Sequence, residues 1–314
     1  MALAVNNNTP AFNVFTSFAQ NTSALQKSMG RLSTGQKTVL DDASGVGISE
    51  RMRSQYKSTA MSRNNVENGI SLIQTADSWL QKVGDMLSRM HELGIEAEDG
   101  TKTKTDKENI QSEFKQMQKE IVRITSKNTA AAKFNGLYLF RGGNGKALKN
   151  KDEVGTGSIT IQIGADVNQK FQIELKNLQV TNTDTIGTVS TYTYKADHSV
   201  SGSTHTAVTW GSVVDSSKLS VGVGSEVVGK VAAAIDHIAN ARATMGAQQA
   251  RLEQTKTGLL VYEDNLRSAE SKIRDVDMAR ESTEFSKNQI LSQISNAMLA
   301  QANQLPSSAL QLLG

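Results

Sequence analysis

Two short stretches contain residue types that bind phosphate or zinc in other proteins. "GSEVVGK", residues 224–230, has the G-x-x-x-x-G-K spacing of a phosphate-binding loop. Val231 follows where Ser or Thr would hold Mg²⁺, and no long hydrophobic strand precedes the stretch, so a helix start is the better interpretation. "HELGI", residues 91–95, begins like a zinc-protease helix but lacks the second histidine. Neither a nucleotide site nor a zinc site is predicted.

The remaining histidines and nucleophiles give no catalytic pattern. His198 and His205 lie seven residues apart in a polar segment, and a shared metal would need a turn between them, so solvated loop histidines are the better interpretation. His237 flanks an apolar helical seam. The chain has no cysteine, and no Ser, His and Asp arrangement stands out. We therefore predict no catalytic residue, no metal, no cofactor and no enzymatic activity.

The charges are distributed unusually along the chain. Net charge is +3 with both signs interspersed, which argues against nucleic acid as a partner. All 34 Lys and Arg residues and all 31 Asp and Glu residues lie between Lys27 and Lys287, so both chain ends are uncharged. Neither end has the roughly 18 consecutive apolar residues of a membrane span, and the N-terminus lacks the pattern of a cleaved secretory signal.

Helical periodicity dominates both halves of the sequence. A stripe with spacings of three and four precedes a stop at Gly100, and "TDKE", residues 105–108, indicates a capping box for the next helix. The stripe comprises Val66, Ile70, Ile73, Ala76, Leu80, Val83, Leu87, Met90 and Leu93. In the C-terminal half, large apolar residues recur every seven positions, as in a coiled coil. These predicted rod-core residues are Val231, Ile238, Met245, Leu252, Leu259, Leu266 and Ile273.

The segment between the long helices favours strands. "SITIQIGADVNQKFQIEL" alternates polar and apolar residues around a polar turn, and "TVSTYTYKADHSVSGSTHTAVTW" does so more weakly. The predicted fold is mainly α, with long antiparallel coiled-coil-like helices from the N- and C-terminal regions and a small β-rich centre. We expect terminal helical segments at 1–40 plus 285–314, a rod with a β-hairpin at 41–177 plus 225–284, and a variable outer β region at 178–224.

Both uncharged ends are amphipathic and are predicted to self-associate. Charge-free apolar faces can pack against identical ends without burying unpaired charge. The residues expected to carry this packing are Phe12, Phe15, Phe18, Leu291, Ile294, Met298 and Leu305. Disordered tails are the alternative, and we expect ends that are mobile in the monomer and ordered on assembly.

Several separate motifs resemble one family in order and spacing. They are "RLSTG" (31–35), "DDASG" (41–45), "NGISLIQTAD" (68–77), "FNG" (134–136) and "ANQLP" (302–306). Together they resemble bacterial flagellin over roughly residues 1–175 and 225–314. The resemblance implies an extracellular subunit of the flagellar filament, exported without a cleaved signal, whose end segments line an inner tube.

The resemblance also implies partners. These are other copies of the chain, a flagellar export chaperone, and cap and junction proteins. The innate-immune flagellin receptor of animals is a further expected partner, through Arg89, Leu93 and Glu113, which match the family positions. His91, Gly94 and Glu96 depart from the family pattern in the same segment.

Two other functions fit the terminal pattern. A hook–filament junction protein of the same family shares it, although "NGISLIQTAD" and "ANQLP" favour the filament subunit. A secreted binding module would use its amphipathic ends on lipid or host protein, but no basic residue flanks either apolar face.

Overall fold

Six helices and three small hairpins make up the described chain. The computed structural model describes residues 8–126, 130–140, 158–179, 185–194, 200–215, 219 and 226–313. Its helices are α1 (Thr9–Thr34), α2 (Ala43–Glu98), α3 (Lys104–Thr125), α4 (Trp210–Val214), α5 (Glu226–Arg274) and α6 (Met278–Leu313). Its strands are β1 (Lys133–Phe134), β2 (Leu137–Tyr138), β3 (Ser158–Gln162), β4 (Lys170–Glu174), β5 (Thr185–Tyr194) and β6 (Val200–Thr209). The predicted fold class, mainly α with a small β-rich centre, is confirmed.

Residues Ser58–Val261 form one compact unit around a core built by α2, α3 and α5. The predicted α2 stripe is buried at every position except Ile70, which is partly buried against the same core. On α3, Phe114 and Ile121 are fully buried in that core. Apolar residues at spacings of three and four lie on one face of a helix, so each helix needs the others to cover that face.

Ion pairs fix the direction of α5 relative to α2 within this unit. Arg242 makes two hydrogen bonds to the Asp77 carboxylate, at 2.8 and 3.3 Å, and Lys256 Nζ lies 2.9 Å from Glu67 Oε1. Arg242 pairs with Asp77, whereas Lys256, later on α5, pairs with Glu67, which is earlier on α2. The two helices are therefore antiparallel, as predicted. All four groups are partly exposed, so these ion pairs contribute more to the register of α5 against α2 than to the free energy of unfolding.

The start of α3 differs from the predicted one. The helix is capped by Thr103, whose hydroxyl accepts from the Asp106 backbone N–H while the Asp106 carboxylate accepts from the Thr103 backbone N–H. The predicted box at 105–108 is therefore wrong by two residues. Both stretches satisfy the same four-residue pattern. With the earlier one as the cap, only a short turn separates the end of α2 at Glu98 from the start of α3.

The three hairpins are antiparallel and pack on the helices of the same unit. In the "FNG" motif, Asn135 and Gly136 both have positive φ, which is the backbone of a two-residue hairpin turn. Gly69 on α2 leaves room for the β3–β4 hairpin, since a Cβ there would lie 2.6 Å from Ile161 Cδ1. Trp210, which follows β6 directly, is fully buried.

The second compact unit contains α1 and α6. It is formed by described residues 8–57 and 262–313, and α1 and α6 pack along each other within it. Helices α2 and α5 each contribute residues to both units.

We expect Leu87→Ala to destabilise the unit Ser58–Val261 strongly. Leu87 is fully buried in the core, and truncating such a residue typically costs about 2–5 kcal/mol of unfolding free energy. Urea unfolding followed by circular dichroism gives this value. Ile95→Ala, at a position 55% exposed on the same helix, is the matched control and should change stability by roughly 0.5 kcal/mol or less. Equal losses in both variants would contradict the assignment of the core.

Candidate self-assembly surface

The two end helices are delimited by local sequence signals. Asn8 caps α1, because its side-chain oxygen accepts a hydrogen bond from the Ala11 backbone N–H at 3.1 Å. Pro10 lies in the first turn of α1, where its missing N–H costs nothing, and the helix ends at Gly35 in the left-handed conformation. Helix α6 runs without a break from Met278 to Leu313.

The face that α1 and α6 present to each other mixes apolar, small and polar residues, and its buried positions are polar or small. The less exposed positions follow spacings of three and four on both helices. On α1 they include Ala11, Val14, Phe18, Asn21, Leu25, Ser28 and Leu32, and on α6 Glu281, Phe285, Asn288, Ser292, Ser295, Leu299 and Ala302. Of these fourteen, only Ser28, Glu281, Ser295 and Ala302 are buried. We call this face the end-helix seam.

Polar contacts hold the end-helix seam in register. Asn21 Nδ2 donates to Ser295 Oγ at 3.2 Å, and Asn8 Nδ2 donates to the Ala302 carbonyl at 2.9 Å. Each such hydrogen bond contributes about 0.5–1.5 kcal/mol net, and a displaced register would lose both. The seam therefore specifies one antiparallel arrangement with little apolar burial.

Other large apolar side chains of α1 and α6 lie outside the seam and are exposed. Among the described side chains, and apart from Met278 at the first position of α6, they are Phe12, Phe15, Met29, Ile290, Leu291, Ile294 and Met298, between 37% and 68% exposed. The pairing of α1 with α6 therefore leaves apolar surface uncovered that a self-sufficient helix pair would bury. We call these seven residues the outer apolar faces.

The predicted self-assembly residues divide between the two surfaces. Phe12, Phe15, Leu291, Ile294 and Met298 belong to the outer apolar faces. Phe18 is half-buried and shares the end-helix seam, so the structure separates it from the other two phenylalanines. Leu305 lies on α6. The seam itself is not marked by a continuous apolar stripe, because Asn and Ser interrupt its apolar residues on both helices.

The linkers that follow α1 and precede α6 are bonded to each other. Gln36 and Asp275 form an antiparallel bridge, in which the Lys37 N–H donates to the Arg274 carbonyl at 2.8 Å. The Val276 N–H donates to the Gly35 carbonyl at 3.0 Å. Both helical breaks therefore occur at one level of this unit, and the backbone groups freed by each break are partly satisfied by the other.

Arg31 ties the first linker to both end helices. Its Nη2 lies 2.7 Å from Asp41 Oδ1, and its Nη1 lies 3.4 Å from Glu281 Oε2. Asp41 Oδ2 also accepts from the backbone N–H and the hydroxyl of Thr38, at 3.0 and 2.9 Å. The hydrogen bond from Arg31, supported by those from Thr38, holds the pKa of Asp41 well below its usual range. The pKa of Arg31 is raised by the same contact.

The predicted rod-core residues follow α5 through both compact units. Val231, Ile238, Met245 and Leu252 are buried, and Leu259 is partly buried against the same core. Leu266 and Ile273, in the unit of the end helices, are half-buried. Helix α5 begins at Glu226, in agreement with the helix-start interpretation of "GSEVVGK".

Two of the three predicted receptor residues meet on the surface. Arg89 Nε on α2 lies 2.8 Å from Glu113 Oε1 on α3, and Arg89 Nη1 lies 3.0 Å from Glu92 Oε2. These hydrogen bonds raise the pKa of Arg89. Leu93 is only 1% exposed and belongs to the core that α2 and α3 share, so it is not part of the exposed surface around Arg89 and Glu113.

The described residues contain no group of three or more His, Asp or Glu side chains placed to hold a metal ion. His205 lies on β6, and His198 falls outside the described residues. Within the described part of the chain, no helix combines the length and apolar character that crossing a membrane requires.

Long antiparallel helices with charge-free, exposed apolar faces at both chain ends define a structural protein that associates with itself. The bacterial flagellin N-terminal helical region matches residues 5–145, and the bacterial flagellin C-terminal helical region matches residues 228–313. The chain belongs to the bacterial flagellin family, as predicted, and is a structural subunit of the flagellar filament.

Individual relatives cover almost the whole chain. The flagellin of Bacillus subtilis (strain 168) is 37% identical over 317 residues, spanning 99% of this chain and 100% of that protein. The flagellar filament 33 kDa core protein of Treponema phagedenis is 36% identical over 316 residues, spanning 99% of this chain and 100% of that protein. Among solved structures, Bacillus cereus flagellin covers 62% of this chain and 88% of its own, at 21% identity and a TM-score of 0.42.

We expect Asp41→Asn to loosen the first linker at neutral pH but not at low pH. The folded pKa of Asp41 lies below its ordinary value of 3.8, so the carboxylate stabilises the linker fully above about pH 4. That stabilisation is lost as pH falls through the folded pKa. Hydrogen-exchange protection of residues 31–42 should be roughly three- to tenfold lower in the variant at pH 7.

The same comparison at about pH 2 should show a much smaller difference between variant and wild type. Asp264→Asn, at an exposed position of α5, is the control and should match the wild type at both values. A difference for Asp41→Asn that persists unchanged in acid would contradict the assigned ion pair.

Proposed function

We propose that the outer apolar faces of α1 and α6 form the contact between filament subunits. The observation that carries this proposal is the position of the large apolar residues, which are exposed on helices without a single charged residue from Thr9 to Gln26 and from Asn288 to Leu313. Phe12, Phe15, Leu291, Ile294 and Met298 pack against other copies in the assembled state. Phe18 supports the end-helix seam, and Leu305 extends the contact along α6.

The energetics favour association over the isolated subunit. Fully burying a Phe, Ile, Leu or Met side chain contributes about 1.5–3 kcal/mol, and several are available on each subunit. Association therefore gains apolar burial that the isolated subunit lacks.

The geometry of the contact is heterologous. Two different helices, α1 and α6, supply the faces, so a copy that binds through one face leaves other faces free for the next copy. Contacts of this type grow without closing and generate helical polymers. A tube lined by the charge-free ends is the expected product.

The remaining parts of the chain have supporting roles. The heptad residues of α5 hold each subunit's rod together. The terminal segments comprise residues 1–40 plus 285–314, the rod comprises residues 41–177 plus 225–284, and the outer region comprises residues 178–224. We place the assembled chain outside the cell, exported without a cleaved signal. An export chaperone, cap and junction proteins are its further partners, and the chain acts without catalysis.

Deleting residues 288–314 should leave a largely helical monomer that does not polymerise. The deletion removes four of the seven outer-face residues along with the partner of α1. Negative-stain electron microscopy after addition of filament seeds measures polymerisation, and circular dichroism measures helix content. Long tubes formed by the truncated chain would show that α6 is not an assembly element.

A point variant separates lost contacts from lost structure in the same experiment. Ile294→Gln combined with Met298→Gln keeps α6 intact and removes two outer-face residues that are about half exposed. The critical concentration for seeded growth should rise roughly 10- to 100-fold. Asn296→Gln, at an exposed polar position between them, is the control and should grow like the wild type.

We further propose that Arg89 and Glu113 are read by the animal innate-immune flagellin receptor. Arg89→Asp should abolish reporter signalling by monomer without changing thermal unfolding, since Arg89 is 46% exposed and its ion pairs contribute little to stability. Arg123→Asp, which disrupts a comparable exposed pair with Glu120, is the matched control. A wild-type monomer that gives no signal would rule this partner out.

A further inference from the structure

One edge of strand β3 borders a groove on the surface of the unit Ser58–Val261. Among the described residues β3 pairs with β4 alone, so no strand lies along its other edge. Four consecutive β3 residues, 159–162, line the groove. Successive side chains of a strand point to opposite faces, so a groove lined by consecutive residues runs along the strand edge. We call it the β3 edge groove.

The backbone of Thr160 points to this groove. The Ile163 N–H donates to the Gln169 carbonyl at 2.9 Å, which makes these two residues a hydrogen-bonded pair at the end of the ladder. Such pairs alternate along an antiparallel ladder, so Ile159 and Ile161 bond to β4, whereas the N–H and carbonyl of Thr160 face away from β4. No described strand pairs with Thr160 at this edge. A backbone donor and an acceptor are therefore available to an added strand.

A side chain of α2 already bonds to the same edge one step further along β3. Asn65 Nδ2 donates to the Gln162 carbonyl at 3.3 Å, so the Gln162 carbonyl also faces away from β4. The Asn65 amide takes the place that the N–H of a neighbouring strand would take on this carbonyl. An added strand would pair at Thr160 and Ser158 and would end at Asn65.

The walls of the β3 edge groove are uncharged. Leu72 on α2, Phe134 on β1 and Ile159 supply apolar surface, and Asn65 and Asn68 supply amide groups. None of the described residues that line the groove carries a charge. A charged ligand group would lose hydration there without gaining an ion pair, so the groove favours uncharged side chains. Its volume of about 330 Å³ is at the lower end for ligand sites, which limits the occupant to a short segment.

We propose that the β3 edge groove binds a short extended peptide with uncharged side chains, supplied by another protein. The peptide adds to β3 as a third strand by exchanging hydrogen bonds with the Thr160 backbone, and one apolar side chain lies between α2 and Phe134. Backbone pairing provides affinity and the groove provides selection, as in other cases of strand addition. Every described strand of this chain already lies in a hairpin, which favours a segment of another protein as the occupant.

The first test measures binding of a fluorescein-labelled, amidated heptapeptide of alternating threonine and valine by fluorescence anisotropy. Thr160→Pro removes the N–H that faces the groove and no hydrogen bond to β4, so the hairpin should remain folded. Peptide affinity should fall roughly tenfold or more in this variant. Gln172→Pro is the matched control, because Gln172 lies opposite Thr160 and its N–H faces the other edge of the hairpin. The control should bind like the wild type.

Two further peptides test the chemistry of the occupant. A heptapeptide methylated at every backbone nitrogen keeps the side chains but has no N–H to pair with a strand edge. A heptapeptide with lysine in place of every valine keeps the backbone but brings charge into an uncharged groove. Each should bind the wild-type chain roughly tenfold or more weakly than the parent peptide.

Hydrogen exchange in the wild-type chain provides a readout that needs no variant. The N–H groups of Thr160 and Gln172 face opposite edges of the same hairpin. Saturation with the parent heptapeptide should slow exchange of the Thr160 amide roughly tenfold or more and leave the Gln172 amide unchanged.

Three results would overturn the inference. One is failure of the parent heptapeptide to bind the wild-type chain at millimolar concentration. The second is equal binding by Thr160→Pro together with unchanged exchange of the Thr160 amide. The third is protection of that amide that rises with protein concentration in the absence of peptide, which would assign the edge to a second copy of the chain.

The inference is independent of the proposed function. The β3 edge groove belongs to the unit Ser58–Val261, whereas the outer apolar faces belong to the other compact unit. Seeded growth of Thr160→Pro should therefore match that of the wild type. Failure of the glutamine variant at positions 294 and 298 to affect growth would count against the helix faces and would leave the peptide measurements unaffected.

Discussion

Burial of apolar side chains between α2, α3 and α5 is the interaction on which the rest of the chain depends. That core contains fully buried Leu80, Leu87, Phe114 and Val231, and it satisfies the apolar periodicity of three long helices within one chain. The end helices have no equivalent among the described residues, because the buried positions of their seam are Ser28, Glu281, Ser295 and Ala302. One unit therefore completes its hydrophobic burial on folding, and the other leaves apolar surface that the proposed assembly would cover.

The linkers show how a break in two helices is stabilised without a hydrophobic core. Helix ends leave backbone groups without partners, and here Gly35, Lys37, Arg274 and Val276 satisfy one another. Arg31 adds charge-assisted hydrogen bonds that reach the first linker and α6. Local polar bonds of this kind fix geometry at modest energy.

The sequence predicted those features that repeat with a fixed period. The stripe of α2, the heptads of α5 and the alternation in the strands each repeat often enough to show which face of the element is buried. The polar seam could not be found this way, since Asn21 and Ser295 become meaningful only once α1 is known to lie against α6. The start of α3 was missed because two overlapping stretches fit one capping pattern.

The polar seam also explains why exposed apolar faces need not cause disordered aggregation. If all the large apolar residues of α1 and α6 lay in the seam and the outer faces were polar, the two helices would leave no apolar surface for other copies. With polar bonds at Asn8 and Asn21, the two helices have one register at small energetic gain. In the proposed assembly, the outer faces are presented in one fixed arrangement, so apolar burial between copies favours a single repeating contact. A single repeating contact between different faces is the requirement for a helical polymer.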